Sequence, residues 1–190
     1  MTPRRLKLVL LLTGIVLAGL VFLGWTQEWF SVTLTEGQTL PVGGDKAAPA
    51  LATLALTCLV LVGALSIAGP FFRVVLGVLE ALLGVTVVLS GVIALSDPVT
   101  ASGAVITEAT GVGGSENLAA QVAAVSVSLW PWLSTIAGGL LVVAGVAVVA
   151  TSRRWPGSGR KYSAVRLEPT GDDPVADWDA QSHGVDPTSR

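Results

Sequence analysis

The chain has 190 residues, of which 52% are apolar and only 13% charged, against about 25% charged in soluble domains. The formal net charge is −2, and the charges stand apart from the apolar runs. That pattern excludes an ordinary soluble domain, and no nucleic-acid partner is expected.

Arg4, Arg5 and Lys7 precede a charge-free run from Leu8 to Gly24. The run is long for the apolar core of a secretory signal, and "GWTQEW" is bulky where a cleavage site needs small residues. The lone Cys58 lies too far downstream for a lipoprotein. An uncleaved first helix is therefore expected over Leu6–Trp25. Further runs follow at Ala48–Ala68, at Phe72–Leu95 with Glu80 as its one charge besides Arg73, and at Trp132–Ser152. A bilayer core of about 30 Å takes roughly 20 apolar residues as helix, so four spans are predicted. The fold class expected is an all-α membrane protein, a four-transmembrane-helix bundle over residues 1–155.

Lysine and arginine bias orients such a chain. Arg4, Arg5, Lys7, Arg73, Arg153, Arg154, Arg160, Lys161 and Arg166 fall on one side, and only Lys46 on the other. Both termini are thus expected in the cytoplasm of a plasma-membrane protein, with loops 26–47 and 96–131 outside. Residues 156–190, rich in Gly, Pro, Ser and Asp, read as a disordered cytoplasmic tail, because they cannot bury enough surface to offset chain entropy. Its basic start is expected on anionic headgroups, at about 1 kcal/mol per charge.

The outer loops predict a small extracytoplasmic cap. "FSVTLTEGQTLPV" reads as a β-hairpin turning at "TEGQ", and Ala104–Thr107 as a third strand. "SENLAAQVAAVSVSLW" carries Leu118, Val122, Val125 and Leu129 at helical spacing, so a helix from Ser115 into the last span is expected.

Trp25, Gln27, Glu28 and Trp29 fall at the outer end of the first span, and Trp130 and Trp132 at the outer start of the fourth. Trp155 follows the fourth span on the inner side. Tryptophan collects at membrane interfaces because its ring is apolar and its N–H wants a partner, so an aromatic belt is one reading. The other is an outward-facing pocket lined by these six residues. Within the bilayer, Gly77, Gly84 and Gly91, Gly138 and Gly145, and Gly14, Gly19 and Gly24 read as packing faces. Glu80 costs about 3 kcal/mol to insert, while each of the span's Leu, Ile and Val residues returns about 0.3–0.6. It lies on the glycine face and should point into the bundle, as a functional acid, as a carboxyl bonded to Thr13, Thr57 or Ser66, or as one snorkelling to the inner surface.

Cys58 reads as packing. His183 is the only histidine, so no His/Cys metal cluster forms; no nucleotide loop or Ser–His–Asp set is present. No cofactor and no enzymatic activity are expected.

In order along the chain, "RRLKLVLLLTG", "WTQEWFSVTL", "AAPALATLALTCLVL", "AGPFFRVVLGVLEALLG", "GGLLVVAGVAVV" and "RRWP" resemble the tryptophan-biosynthesis-associated membrane proteins of high-GC Gram-positive bacteria. The resemblance covers about residues 4–162, with the tail outside it. It implies a genomic link to tryptophan biosynthesis and carries over no site residues. Two functions stay open. One is a non-enzymatic membrane protein handling tryptophan or a related aromatic molecule. The other is a structural or assembly protein of the cell envelope whose cap binds another membrane protein. Beyond the lipid bilayer, the partners expected are a second copy or a membrane protein, and an aromatic small molecule.

Overall fold

The computed structural model describes residues 2–155. Four helices in it are long and apolar enough to cross a membrane: α1 (Pro3–Trp25), α3 (Ala50–Ile67), α4 (Pro70–Ser96) and α8 (Trp130–Thr151). A cap is built from β1 (Glu28–Leu34), β2 (Thr39–Gly43), α2 (Gly44–Ala47), α5 (Pro98–Ala101), α6 (Gly103–Thr110), α7 (Ser115–Gln121) and β3 (Val122–Val127). The expected spans thus stand, with ends moved by up to three residues. The expected tail, from Pro156 onward, lies outside the described residues.

α1, α4 and α8 each open with a proline in the first turn, where its missing N–H costs nothing and its fixed φ suits the helix. The spans form a ring in which α1 and α4 each pack against both α3 and α8, which leaves α1 and α4 diagonally opposed. The closest pair is α4 with α8. A Cβ on Gly84 would stand 2.7 Å from the Val142 amide nitrogen and 2.8 Å from the Gly138 carbonyl, and one on Gly145 would stand 2.6 Å from the Ala81 amide nitrogen. Lacking a hydrophobic force between helices in lipid, close backbone approach supplies the attraction. The glycine faces act as expected there, whereas Gly19 faces open space.

In the cap, β1 and β2 form the expected antiparallel hairpin. Its turn relies on Gly37 at φ +87°, a left-handed conformation that glycine adopts without penalty. The rest departs from expectation. Ala104–Thr107 is not a strand but lies in α6, which buries Ile106 and ends on Gly111 in the left-handed conformation. The expected helix from Ser115 stops at Gln121, and Val122–Val127 become the third strand instead. β3 pairs antiparallel with β1, Ser31 opposite Ser126, giving the order β2-β1-β3. The hairpin's open edge decides this, since it offers β1's second row of backbone groups to a valine-rich segment. Val122 and Val125, read as one face of a helix, still turn toward the core.

One apolar core runs from Leu17, Val21, Cys58, Val87 and Leu141 in the bundle to Trp29, Val32, Val42, Ile106 and Leu118 in the cap. The cap is therefore packed onto the spans rather than tethered to them.

Candidate functional sites

The six residues of the expected outer pocket differ in burial, and Ser128 links two of them, donating its hydroxyl to the Glu28 carbonyl at 2.7 Å and accepting the Trp130 N–H at 3.3 Å. Trp29 is fully buried and donates its indole N–H to the Gly24 carbonyl at 2.8 Å. Gly44 makes room for it: a Cβ there would stand 2.6 Å from the indole nitrogen. Trp25 is half-buried, its ring 5.6 Å from that of Phe22, and its N–H is buried without a partner. Trp130 packs against the core's edge, while Trp132 is 54% exposed on the outer surface of the bundle. Gln27 is half-buried and Glu28 exposed. The arrangement joins a structural anchor, Trp29, to ring surfaces at the level where spans leave the bilayer.

A concave site lies nearby that the sequence did not single out. A groove of about 420 Å³ opens at the cap end of the bundle, between the segment entering α3 and the end of α4. Ala47, Ala48, Pro49 and Ala50 form one wall; Ile93, Ala94, Asp97 and Ala101 form the other, with Ser90 and Thr100 adding hydroxyls. Asp97 ends α4 and caps α5 by accepting the Thr100 N–H at 3.0 Å. Hydrogen bonds from Thr100, side chain first and backbone second, hold its carboxyl below the usual carboxylate range. The groove is thus mainly apolar, with one fixed negative charge at its rim. Ala50, the first residue of α3, lines it too; no side chain caps that helix, and although the Leu51 N–H donates to the Ala48 carbonyl at 3.1 Å, the helix start carries partial positive charge. In the sequence Asp97 was only an acid ending a span; the signal is the short "SDP" at a helix end facing "AAPA".

The opposite end of the bundle is closed by Trp155, 4% exposed rather than lying in an interfacial belt. Lys7 Nζ and the Arg73 guanidinium stand 5.9 and 5.4 Å from its ring centroid. Lys7 also donates to the Ser66 carbonyl at 2.7 Å, and Arg73 Nε to the Ala68 carbonyl at 2.8 Å. The indole N–H donates to Thr151 Oγ1 at 3.1 Å. The ring thus meets α1 and α4 through cation–π contacts and α8 through its N–H, while the two cations reach the end of α3 by their own hydrogen bonds.

Glu80 does point into the bundle and does not snorkel, with 1% of its surface exposed. The hydroxyls considered as its partners are engaged elsewhere or not bonded to it: Thr57 donates to the Thr53 carbonyl and Ser66 to that of Gly63. Oε2 has no partner. Cys58 is buried, and among the described residues no group of three or more His, Cys, Asp or Glu could hold a metal ion.

A family profile described as tryptophan-associated transmembrane protein matches residues 8–188, extending through the tail that the resemblance had left out. No curated protein and no solved structure matches the chain. Four apolar spans, the cap packed upon them and a profile matching nearly the whole length lead to one assignment: the chain belongs to the tryptophan-associated transmembrane protein family.

Proposed function

We propose that this chain is a non-enzymatic plasma-membrane protein with both termini in the cytoplasm, and that its outer groove takes tryptophan or a related aromatic amino acid. The groove between Ala47–Ala50 and Ile93–Ala101 carries the reading. Its volume of about 420 Å³ falls in the usual range for small-ligand sites, and an apolar lining with few placed polar groups is the usual chemistry. An indole ring suits the alanine and isoleucine walls. An α-ammonium suits Asp97, and an α-carboxylate suits the uncapped first turn of α3. The family's association with tryptophan favours this ligand over other apolar amino acids. Binding of labelled tryptophan to the purified protein tests it. Asp97→Asn should weaken binding about tenfold or more, and Ala50→Trp should fill the groove and abolish it. Binding that ignores both substitutions places the ligand elsewhere; tryptophan and indole flux unchanged by loss of the gene argues against handling altogether.

A second reading, a docking role for the cap, is supported by β3. It is an edge strand without charge, and an unprotected apolar edge is a template for another strand. A co-purifying membrane partner lost in Val127→Lys would favour this reading.

A further inference from the structure

Glu80 lies on α4 seven residues beyond Arg73, about 10 Å along the helix axis. Its carboxyl crosses the centre of the ring of helices. Although α1 is diagonally opposite, Oε1 stands 3.1 Å from where a Cβ on Gly14 would be. Oε2 is buried with no hydrogen-bond partner.

Few groups face this acid. From α3 there is Cys58, within electrostatic reach of the carboxyl. From α1 there is Gly14, with Lys7 about 10 Å nearer the tail end. α8 contains no titratable residue between Trp130 and Thr151, and α4 adds Arg73 about two turns away. Ionisable groups inside membrane spans mark ion pathways and proton relays. A carboxyl with one open oxygen, outside any group of three metal-ligating side chains among the described residues, suits the smallest cation.

A groove of about 380 Å³, almost wholly apolar, follows the outer side of the seam between α1 and α3, lined by Leu11, Ile15, Leu59, Val62, Gly63 and Ser66; Ile15, Leu59 and Ser66 are exposed, and the buried Val62 stands between the groove and Glu80. Ser66 marks the tail end, where its carbonyl accepts Lys7 Nζ. Toward Glu80, Val62 packs into the space left by Gly14: a Cβ there would meet Val62 Cγ2 at 2.7 Å. We infer that Glu80 is an intramembrane proton-binding site, loaded and emptied through the α1–α3 seam, with Val62 against Gly14 as its gate. This site is separate from the outer groove and does not depend on it.

The test uses the full chain in phosphatidylcholine–phosphatidylglycerol vesicles with the lipophilic reagent dicyclohexylcarbodiimide. The acid's proton passes to a carbodiimide nitrogen and the carboxylate oxygen bonds to the central carbon. An oxygen-to-nitrogen acyl shift then leaves a stable N-acylurea, with no leaving group. The expected result is an adduct at Glu80 by peptide mass, absent in Glu80→Gln. Its rate should fall about tenfold per pH unit above the titration midpoint, as the protonated fraction does. Infrared spectra should show a carboxylic-acid carbonyl band, missing in Glu80→Gln, that shifts when the vesicles enter heavy water. Val62→Ala should speed that exchange several-fold and Gly14→Ala should slow it. Absence of both band and adduct in wild-type protein of intact thermal stability, or indifference of both to pH, overturns the proton site. Exchange unchanged by Val62→Ala and by Gly14→Ala overturns the route.

Discussion

The indole N–H of Trp29 donates to the carbonyl of Gly24 across 2.8 Å, which fastens the first strand of the cap to the last turn of the first span. Helix ends leave carbonyls without intrahelical partners, and this one accepts both the Gln27 N–H at 3.2 Å and the indole of the residue that also fills the cap's core. Trp29→Phe keeps most of the ring but loses this hydrogen bond, while the Gly24 carbonyl still accepts the Gln27 N–H at 3.2 Å, so the cost should be about 0.5–1.5 kcal/mol. Trp25 has no partner for its N–H, so Trp25→Phe should stay within about 0.5 kcal/mol of wild type. Thermal unfolding of the two variants side by side is the measurement, and equal losses would refute the distinction.

Contact between α4 and α8 depends on missing side chains. Gly145→Ala would push a methyl to 2.6 Å from the Ala81 amide nitrogen and the Gly77 carbonyl, overpacking that should cost about 1–3 kcal/mol. Gly139, on the same helix, meets nothing within 4 Å, so Gly139→Ala should be neutral or gain up to about 1 kcal/mol through its backbone entropy. Melting temperatures should move in opposite directions or in only one of the two.

At the other end, Trp155→Leu removes the ring that Lys7 and Arg73 share. The loss should be about 0.5–2 kcal/mol per cation–π contact. Trp155→Phe should retain part of it, since a ring remains while the bond to Thr151 goes. A Phe variant as unstable as the Leu variant would show that the indole N–H, not the ring face, is what matters.

Asp97 gives the groove a definite pH response. Thr100's hydrogen bonds depress its folded-state pKa, so any stability it contributes is present above the ordinary carboxylate range and lost as pH falls through the lower folded value. Tryptophan binding should therefore be flat across neutral and mildly acidic pH and fail only in stronger acid, below the ordinary range. A binding transition near neutrality in isothermal titration would mean that another group holds the ammonium.

Orientation is checked with one introduced thiol. Gln38 is exposed in the hairpin turn, and the native Cys58 is buried. A membrane-impermeant maleimide should label Gln38→Cys in intact cells and leave the wild-type protein unlabelled. Labelling only after permeabilisation would reverse the topology.

The four spans were legible from Leu, Val, Ala and Gly alone, because hydrocarbon forces a chain to satisfy its backbone within each helix. Length and apolarity then suffice, and the glycine periodicity of α4 marked its contact face for the same local reason. The hairpin was legible as well, since "TEGQ" and its flanking strands are neighbours in sequence. Val122–Val127 were not: their apolar spacing fits a helix, and only the open edge of β1, far earlier in the chain, draws them into a strand. Nor could composition distinguish Trp29 and Trp155, both buried, from Trp132, which faces outward; all three sit at span ends. Glu80's inward direction followed from its glycine face, but its lack of a partner depends on where Gly14 and Val62 arrive from other helices. The groove beside Asp97 is likewise a product of packing, since its two walls come from separate segments that meet only when α3 and α4 dock. Periodicity and hydropathy are local properties of the chain; burial, partnership and concavity arise only when distant segments share a surface.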